Sequence, residues 1–247
     1  MMPKQTIIFD LDGTLLNTLE DLADAVNHAL RTYQLPTHSY EAVRLMVGNG
    51  VRNLVLRATG LYRLDSARPE ALEWVEVAPA DAPITPEQFE QVFACFKTYY
   101  VAHCRLKTCL YEGIAPLLTE LRERGCRLAI VSNKLQAGVT ELQRAYFEGL
   151  IDVAIGERDD VPRKPAPVMV ETALRELYGP DADLGAVRAE CIYVGDSDVD
   201  ILTARNAGMT CVSVLWGFRD EAFLRAHGAA LLAQEPKDVL KFLNYMT

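Results

Sequence analysis

Short apolar runs alternate with helical periods over much of the chain. The segment "TIIFD" at residues 6–10 is typical of a buried strand, and "LEDLADAVNHALRTY" at residues 19–33 repeats its apolar positions with the period of a helix. From residue 127 the segments "RLAIVSN", "DVAIG", "CIYVGD" and "CVSVLWG" predict further strands, and the segments between them predict helices. Such alternation predicts an α/β fold with a Rossmann-like parallel sheet that helices cover on both faces.

The stretch from Asn17 to Lys107 interrupts this alternation and is predicted to be mostly helical. The segment "YEAVRLMVGNGVRNLVLRATG" predicts two helices with a break at Gly48–Gly50, and "PEQFEQVFACFKTYYVAHC" predicts another amphipathic helix. Between them, the second half of residues 61–85 is rich in proline and acidic residues, so we predict an exposed loop there. The closing segment "EPKDVLKFLNYM" predicts a final helix.

Composition and charge narrow the class of protein. Hydrophobic residues make up 50% of the chain and charged residues 24%, which is ordinary for a globular protein. The net charge of -9 argues against a nucleic-acid backbone as partner. No apolar run is long enough for a membrane span or a signal peptide, so no membrane partner is expected. The six cysteines contain no Cys-x-x-Cys pair, which predicts reduced thiols and a cytoplasmic location.

Polar side chains follow several predicted strands at the point where each strand ends. They are Asp10 and Asp12, then Ser132 and Asn133, then Asp196 and Asp200, with Lys164 in a loop before a helix. Open α/β sheets bind ligands at the carboxyl ends of their strands. Converging carboxylates would repel one another without a cation, and oxygen donors without Cys or His favour Mg²⁺. A metal beside a lysine and a hydroxyl is typical of phosphoryl transfer.

Four segments together carry a resemblance to a known family. In chain order, "DLDGT", "VSNK", "RKPAP" and "VGDSDVD" resemble the four motifs of the haloacid dehalogenase (HAD) superfamily of phosphohydrolases. The longer segments "FDLDGTLLNTLEDLADAVNHAL", "VGNG" and "GDSDVDILTARNAGM…WGFR" resemble its phosphoglycolate phosphatase-like branch. The resemblance implies a HAD catalytic core over residues 1–16 and 108–247, with the first strand central. It also implies an inserted α-helical cap over residues 17–107 that opens and closes over the site.

The resemblance implies a role for each motif residue. Asp10 would attack phosphorus and form an aspartyl-phosphate, while Asp12 would protonate the leaving oxygen and later activate water. The expected metal ligands are Asp10, Asp196 and the backbone carbonyl of Asp12, and Asp200 would hold Lys164 or a metal-bound water. The expected substrate-binding residues are Gly13, Thr14, Ser132, Asn133 and Lys164. Asp198, in the same motif, is expected to be a solvated loop acid.

The inserted region offers candidates for substrate specificity. They are Asn49, Gly50 and Arg52, and Arg52 would meet a second anionic group of the substrate. Asn17 stands where the family often has an acid, so we expect altered hydrogen bonding at the hinge into the cap. No role is assigned to the segment Tyr62–Thr85, where Trp74 is expected at an interface or at the surface and not in the site.

The implied function is Mg²⁺-dependent hydrolysis of a small phosphorylated metabolite, with 2-phosphoglycolate as the leading candidate. Hydrolysis of another sugar or nucleotide phosphate stays open, as does a phosphomutase of the β-phosphoglucomutase type, although Thr14 favours hydrolysis. Asp12 argues against a dehalogenase, and the intact motifs argue against a non-catalytic binding protein. The chain is expected to act as a monomer or homodimer.

Overall fold

The computed structural model describes residues 5–67 and 72–245. The chain divides into two compact units, which we call the core unit (Met1–Asn17 and Cys109–Thr247) and the inserted unit (Thr18–Thr108). Among the described residues, no helix combines the length and the apolar character that crossing a bilayer requires.

A six-stranded parallel sheet forms the centre of the core unit. Its strands, in their order across the sheet, are β10 (Leu231–Ala233), β9 (Thr210–Val214), β8 (Cys191–Gly195), β1 (Thr6–Phe9), β6 (Arg127–Leu135) and β7 (Val153–Glu157). All four residues of β1 are buried because the strand lies between β8 and β6. The predicted α/β fold and the central first strand are confirmed.

Helices of the core unit pack on both faces of the sheet. They are α5 (Ile114–Glu123), α6 (Gln136–Tyr146), α7 (Val168–Tyr178), α8 (Leu184–Ala189), α9 (Asp198–Asn206) and α10 (Glu221–Ala226). Successive side chains of a strand point to opposite faces, so Ile7 and Phe9 lie in one hydrophobic cluster and Ile8 in the other. The predicted closing helix forms a 3₁₀ helix over Pro236–Tyr245.

Two short strands mark the ends of the insertion. Strand β2 (Leu16–Asn17) pairs antiparallel with β5 (Cys109–Leu110), and Asn17 lies opposite Cys109. The chain therefore leaves and re-enters the core unit on adjacent strands. The altered hinge hydrogen bonding at Asn17 stays a prediction.

The inserted unit consists mainly of helices. They are α1 (Leu19–Thr32), α2 (Tyr40–Met46), α3 (Val51–Ala58) and α4 (Pro86–His103). The predicted break between α2 and α3 is confirmed, since Gly48 and Gly50 have φ values of +120° and +81°. Such values are accessible to glycine at little cost.

The prediction of an exposed loop before α4 is wrong in part. Strand β4 (Trp74–Glu76) pairs antiparallel with β3 (Tyr62–Leu64), and a short 3₁₀ turn covers Pro79–Asp81. Each strand has only three residues, too few for an alternating pattern to be recognised. Part of this segment, residues 68–71, lies outside the described residues. Trp74 is partly exposed, and the Arg57 guanidinium carbon lies 5.0 Å from its ring centroid.

Candidate active site

The turn after β1 places Asp10 at the carboxyl edge of the sheet. The Asp10 N–H donates to the carbonyl of Val194 in β8 at 2.8 Å, which continues the sheet bonding by one residue. Gly13 has a φ of +87°, and a Cβ added there would lie 2.3 Å from Asp196 Oδ2. Glycine is therefore required both for the backbone conformation and for the close approach of Asp196.

Asp196 is held by two segments that are far apart in sequence. Its Oδ2 accepts the Phe218 N–H at 2.7 Å, and its Oδ1 accepts the Thr14 hydroxyl at 3.4 Å. A Cβ added at Gly217 would lie 2.3 Å from Asp196 Cβ, so this loop also lies directly against the acid. Burial, and then repulsion from Asp200 and Asp10, raises the pKa of Asp196 to about 8.

The Lys164 ammonium group contacts both Asp10 and Asp200. Its buried ammonium lies 2.9 Å from Asp10 Oδ1 and 2.7 Å from Asp200 Oδ1, and it donates to the Tyr193 hydroxyl at 3.1 Å. Burial raises the pKa of Asp10 to about 7, against the opposing effect of Lys164. Burial alone would lower the pKa of Lys164, but Asp10 and Asp200 hold it well above its usual value. The protein therefore keeps Lys164 charged.

Both carboxylate oxygens of Asp200 contact other groups of the protein. Oδ1 contacts Lys164, and Oδ2 accepts the Ser197 hydroxyl at 2.6 Å and the Ser197 N–H at 3.1 Å. The Ser197 side chain in turn accepts the Asp200 N–H, which forms a capping box at the start of α9. These contacts suit Asp200 to holding Lys164 in place.

Asn133 and Ser132 lie at the end of β6. The Asn133 side chain donates to the Lys164 carbonyl at 3.0 Å and accepts the Lys164 N–H at 2.8 Å. This reciprocal pair fixes the backbone of the lysine, a contact that no sequence pattern indicates. Ser132 is buried, and its hydroxyl accepts the Lys134 N–H at 3.3 Å.

Asp12 lies two residues after Asp10 and has a different partner. Its Oδ1 is 2.7 Å from the Nζ of Lys134, a residue of β6 to which the sequence patterns assign no role. Tyr193, Gly217 and Phe218 also have no role assigned from the sequence. Tyr193 lies inside a strand and resembles an ordinary core residue, whereas a lysine at the end of a buried strand is a signal that could have been used.

The acids at this edge could hold a divalent cation. Among the described residues, Asp10, Asp196 and Asp200 each offer a carboxylate oxygen within 4.8 Å of the others. Asp10 Oδ1 has no hydrogen-bond donor aligned with it, although Lys164 lies close. With Asp12 included, four carboxylates accompany the two ammonium groups of Lys134 and Lys164. The all-oxygen donor set suits one hard divalent cation.

The specificity candidates of the inserted unit lie at the start of α3. Gly50 is the N-cap residue of this helix, and the Asn49 carbonyl accepts from Asn53 at 3.0 Å. Arg52 forms an ion pair with Glu90, and its guanidinium carbon lies 4.8 Å from the Phe89 ring centroid. The charge of Arg52 is thus already partnered within its own unit. A role for these three residues in specificity stays a prediction.

Comparison with known proteins places the chain in a family. The haloacid dehalogenase-like hydrolase family matches residues 7–214. A phosphoglycolate phosphatase of Mannheimia succiniciproducens is 33% identical over 211 residues, which cover 85% of each chain. One of Rhodospirillum rubrum is 34% identical over 226 residues, or 89% of this chain and 83% of that protein.

Solved structures also include a protein that is similar to this chain over nearly its whole length. A crystal structure from Lactobacillus delbrueckii subsp. bulgaricus, provisionally described as a phosphoglycolate phosphatase, matches with a TM-score of 0.84 and 35% identity. The match covers 98% of this chain and 99% of that one. The motif order, the sheet with its converging carboxylates and these similarities lead to one conclusion: the chain belongs to the haloacid dehalogenase-like hydrolase family.

Proposed function

We propose that this protein is a Mg²⁺-dependent phosphomonoester hydrolase that works through an aspartyl-phosphate on Asp10. The observation that carries the proposal is the buried group of Asp10, Asp196 and Asp200 with Lys164 among them. It combines a nucleophile, a cation site and a fixed positive charge at one edge of the sheet. The names of the relatives from Mannheimia succiniciproducens and Rhodospirillum rubrum support a phosphatase.

In the first step, Asp10 attacks the phosphorus atom of the bound monoester. The bond between phosphorus and the leaving oxygen breaks as the bond to Asp10 forms, and Asp12 gives its proton to the leaving oxygen. Lys164, held by Asp200 and Tyr193, provides positive charge beside the nucleophile throughout. Bound Mg²⁺ would be held by Asp10, Asp196 and the backbone carbonyl of Asp12, and would supply positive charge next to the phosphoryl oxygens.

In the second step, water attacks the aspartyl-phosphate. Asp12, now ionised, takes a proton from this water, so that phosphate leaves and Asp10 is regenerated. The Ser132 hydroxyl and the backbone N–H groups of Asn133 and of the Leu11–Asp12 turn would bind the phosphoryl oxygens, while Gly13 and Thr14 shape that turn through their N–H bonds to Leu16 and Leu11. Ser132 and Asn133 are both buried at the end of β6, which suits them to a fixed site.

The substrate we propose is 2-phosphoglycolate. The names of the similar proteins from Mannheimia succiniciproducens and Rhodospirillum rubrum support this substrate. None of the six cysteines, all of which lie among the described residues, forms a disulfide, which fits the cytoplasmic location that the sequence predicts.

Phosphate release tests this proposal directly. With Mg²⁺ present, we expect kcat/KM for 2-phosphoglycolate to exceed that for other small phosphomonoesters by at least about tenfold, a ratio within reach of a specific site. Excess EDTA should abolish release, and added Mg²⁺ should restore it. Metal-dependent release at similar rates from all the esters would support the hydrolase activity but contradict 2-phosphoglycolate as the specific substrate. Release that persists in EDTA would contradict the requirement for Mg²⁺, and no release from any ester would contradict the hydrolase activity itself.

Binding of Mg²⁺ is expected to release protons at neutral pH. Since the pKa of Asp10 is raised to about 7 and that of Asp196 to about 8, the metal-free site holds protons that a cation must displace. Roughly one proton should leave per bound ion at pH 7 and almost none above pH 9, so affinity should fall as pH falls through this range. Titration calorimetry in buffers of different ionisation enthalpy measures the number of protons released per bound Mg²⁺ ion. Equal heats in all buffers at pH 7 would contradict the protonated carboxyls.

A further inference from the structure

Lys134 is a fully buried lysine to which the proposed mechanism gives no task. The exposed fraction of its side chain is 0%, and its Nζ lies 2.7 Å from Asp12 Oδ1. Lysines are almost never fully buried unless they are paired, because a charge without a partner is costly to remove from water. The contact with Asp12 is therefore the feature to be explained.

The surrounding backbone confines this lysine closely. A Cβ added at Gly138 of α6 would lie 3.4 Å from Lys134 Cε and 3.6 Å from its Cδ, so the helix packs directly on the side-chain stem. A Cβ added at Gly156 of β7 would lie 2.8 Å from the Lys134 carbonyl oxygen. The register between β6 and β7 also shifts between Val131 and Leu135, and such irregularities redirect side chains. The ammonium group is thus held at one place.

The two partners differ in their access to solvent. The exposed fraction of the Asp12 side chain is 14%, whereas that of Lys134 is 0%. The ammonium therefore contacts the carboxylate from its buried side, and Asp12 is the member of the pair that a ligand can reach. This arrangement suits a residue that orients Asp12 better than one that binds substrate itself.

We propose that Lys134 is a positioning residue that fixes the Asp12 carboxyl for proton transfer to the leaving oxygen, an inference that rests on the proposed function. An ammonium group only donates hydrogen bonds, so the Oδ1 atom that it contacts must act as acceptor. The transferable proton then lies on Oδ2. During attack by Asp10, the bond between phosphorus and the leaving oxygen breaks, and this proton goes to that oxygen.

The inference predicts an effect that depends on the leaving group. An alkyl leaving group such as glycolate needs the proton, whereas p-nitrophenolate is stable without it. Lys134→Met should therefore slow aspartyl-phosphate formation from 2-phosphoglycolate by about 10²-fold or more, within the usual contribution of general acid catalysis. Formation from p-nitrophenyl phosphate should slow by less than about fivefold. We expect KM to change much less than kcat, because Lys134 does not face the substrate.

Single-turnover rapid-quench measurements on the full chain with Mg²⁺ test the prediction. Lys237→Met is the matched control, since the side chain of Lys237 is 72% exposed and pairs with Glu235 in the same unit; it should leave both rates unchanged. Lys134→Arg keeps a donor and should recover part of the loss with 2-phosphoglycolate. Circular dichroism and thermal unfolding verify that each variant is folded, and Lys134→Gln replaces the methionine variant if that one is not.

The outcomes separate this inference from the proposed function. Equal slowing with both esters would mean that Lys134 supports the site as a whole, and no slowing would mean that it has no part in the reaction; either result overturns the inference. In an Asp12→Asn background, adding Lys134→Met should cause little further loss, because the partner is already gone. Failure of the wild-type protein to release phosphate from either ester would instead overturn the proposed function.

Discussion

Replacement of Asp10 by asparagine is expected to lower kcat by at least about 10⁴-fold, because an amide cannot form the aspartyl-phosphate. Asn keeps the size of the side chain, so the loss should come from chemistry and not from folding. Phosphate release from 2-phosphoglycolate measures the effect, and acid quench with labelled substrate should trap phosphoenzyme in the wild type alone. Asp198→Asn is the matched control, since Asp198 lies at the start of α9 outside the acidic group and should keep near wild-type activity.

The stability of the Asp10→Asn variant should support this interpretation. Burial raises the pKa of Asp10 from 3.8 to about 7, so ionisation of this group in the metal-free fold is unfavourable. The native state then binds more protons than the unfolded state, and this group's contribution to stability falls as pH rises from about 4 to 7. Asn avoids that cost, so the variant in EDTA at pH 8.5 should have a Tm no lower than that of the wild type. Turnover of Asp10→Asn near the wild-type rate would exclude Asp10 as the nucleophile.

Replacement of Gly13 by alanine is expected to lower both the rate of the reaction and the affinity for Mg²⁺. Its φ is +87°, and the added Cβ would lie 2.3 Å from Asp196 Oδ2, so either the turn or the acid must move. A displacement of about 1 Å at a catalytic group can cost about 10²-fold in rate, and the affinity for Mg²⁺ should fall as well. Steady-state kinetics over a range of Mg²⁺ concentrations would measure both losses.

Gly125 provides the matched control for this substitution. It has a similar φ of +81°, but an added Cβ there would meet no atom within 4 Å. Gly125→Ala should therefore show only the cost of the backbone conformation, about 1–2 kcal/mol of stability, with unchanged activity. If both variants lost activity equally, backbone strain and not the displacement of Asp196 would be responsible.

The amino-acid sequence alone is sufficient to predict the central strands of the sheet. Strands β1, β6 and β8 were predicted because each is a short apolar run followed at once by a polar group. Strand β10, with three residues, and the pair β3 and β4 gave no usable pattern because strands of this length contain hardly one period. The final segment was predicted as a helix but forms a 3₁₀ helix, a distinction that periodicity over ten residues does not make.

The proximity of the candidate site residues can be predicted where chain geometry alone decides it. Carboxyl ends of parallel strands meet at one edge, so the positions of Asp10 and Asp196 after two such strands are enough to predict that they lie together. The contacts of Lys134 and Tyr193 could not be predicted, since they depend on a register shift in β6 and on packing across the sheet. The approach of Gly217 to Asp196 likewise depends on tertiary structure, because a helix and a strand lie between them in the chain.

The antiparallel pairing of β2 with β5 has a consequence for how this protein can be altered. Directly opposite residues of such a pair have Cα atoms only about 5 Å apart, so Asn17 and Cys109 could be joined by a turn of about two residues. The segment between Asn17 and Cys109 could therefore be replaced as a whole. A foreign segment whose two ends lie equally close together would fit this junction and leave the pairing of β2 with β5 unchanged. The inserted unit could therefore be replaced while the strands that carry the carboxylates keep their sequence.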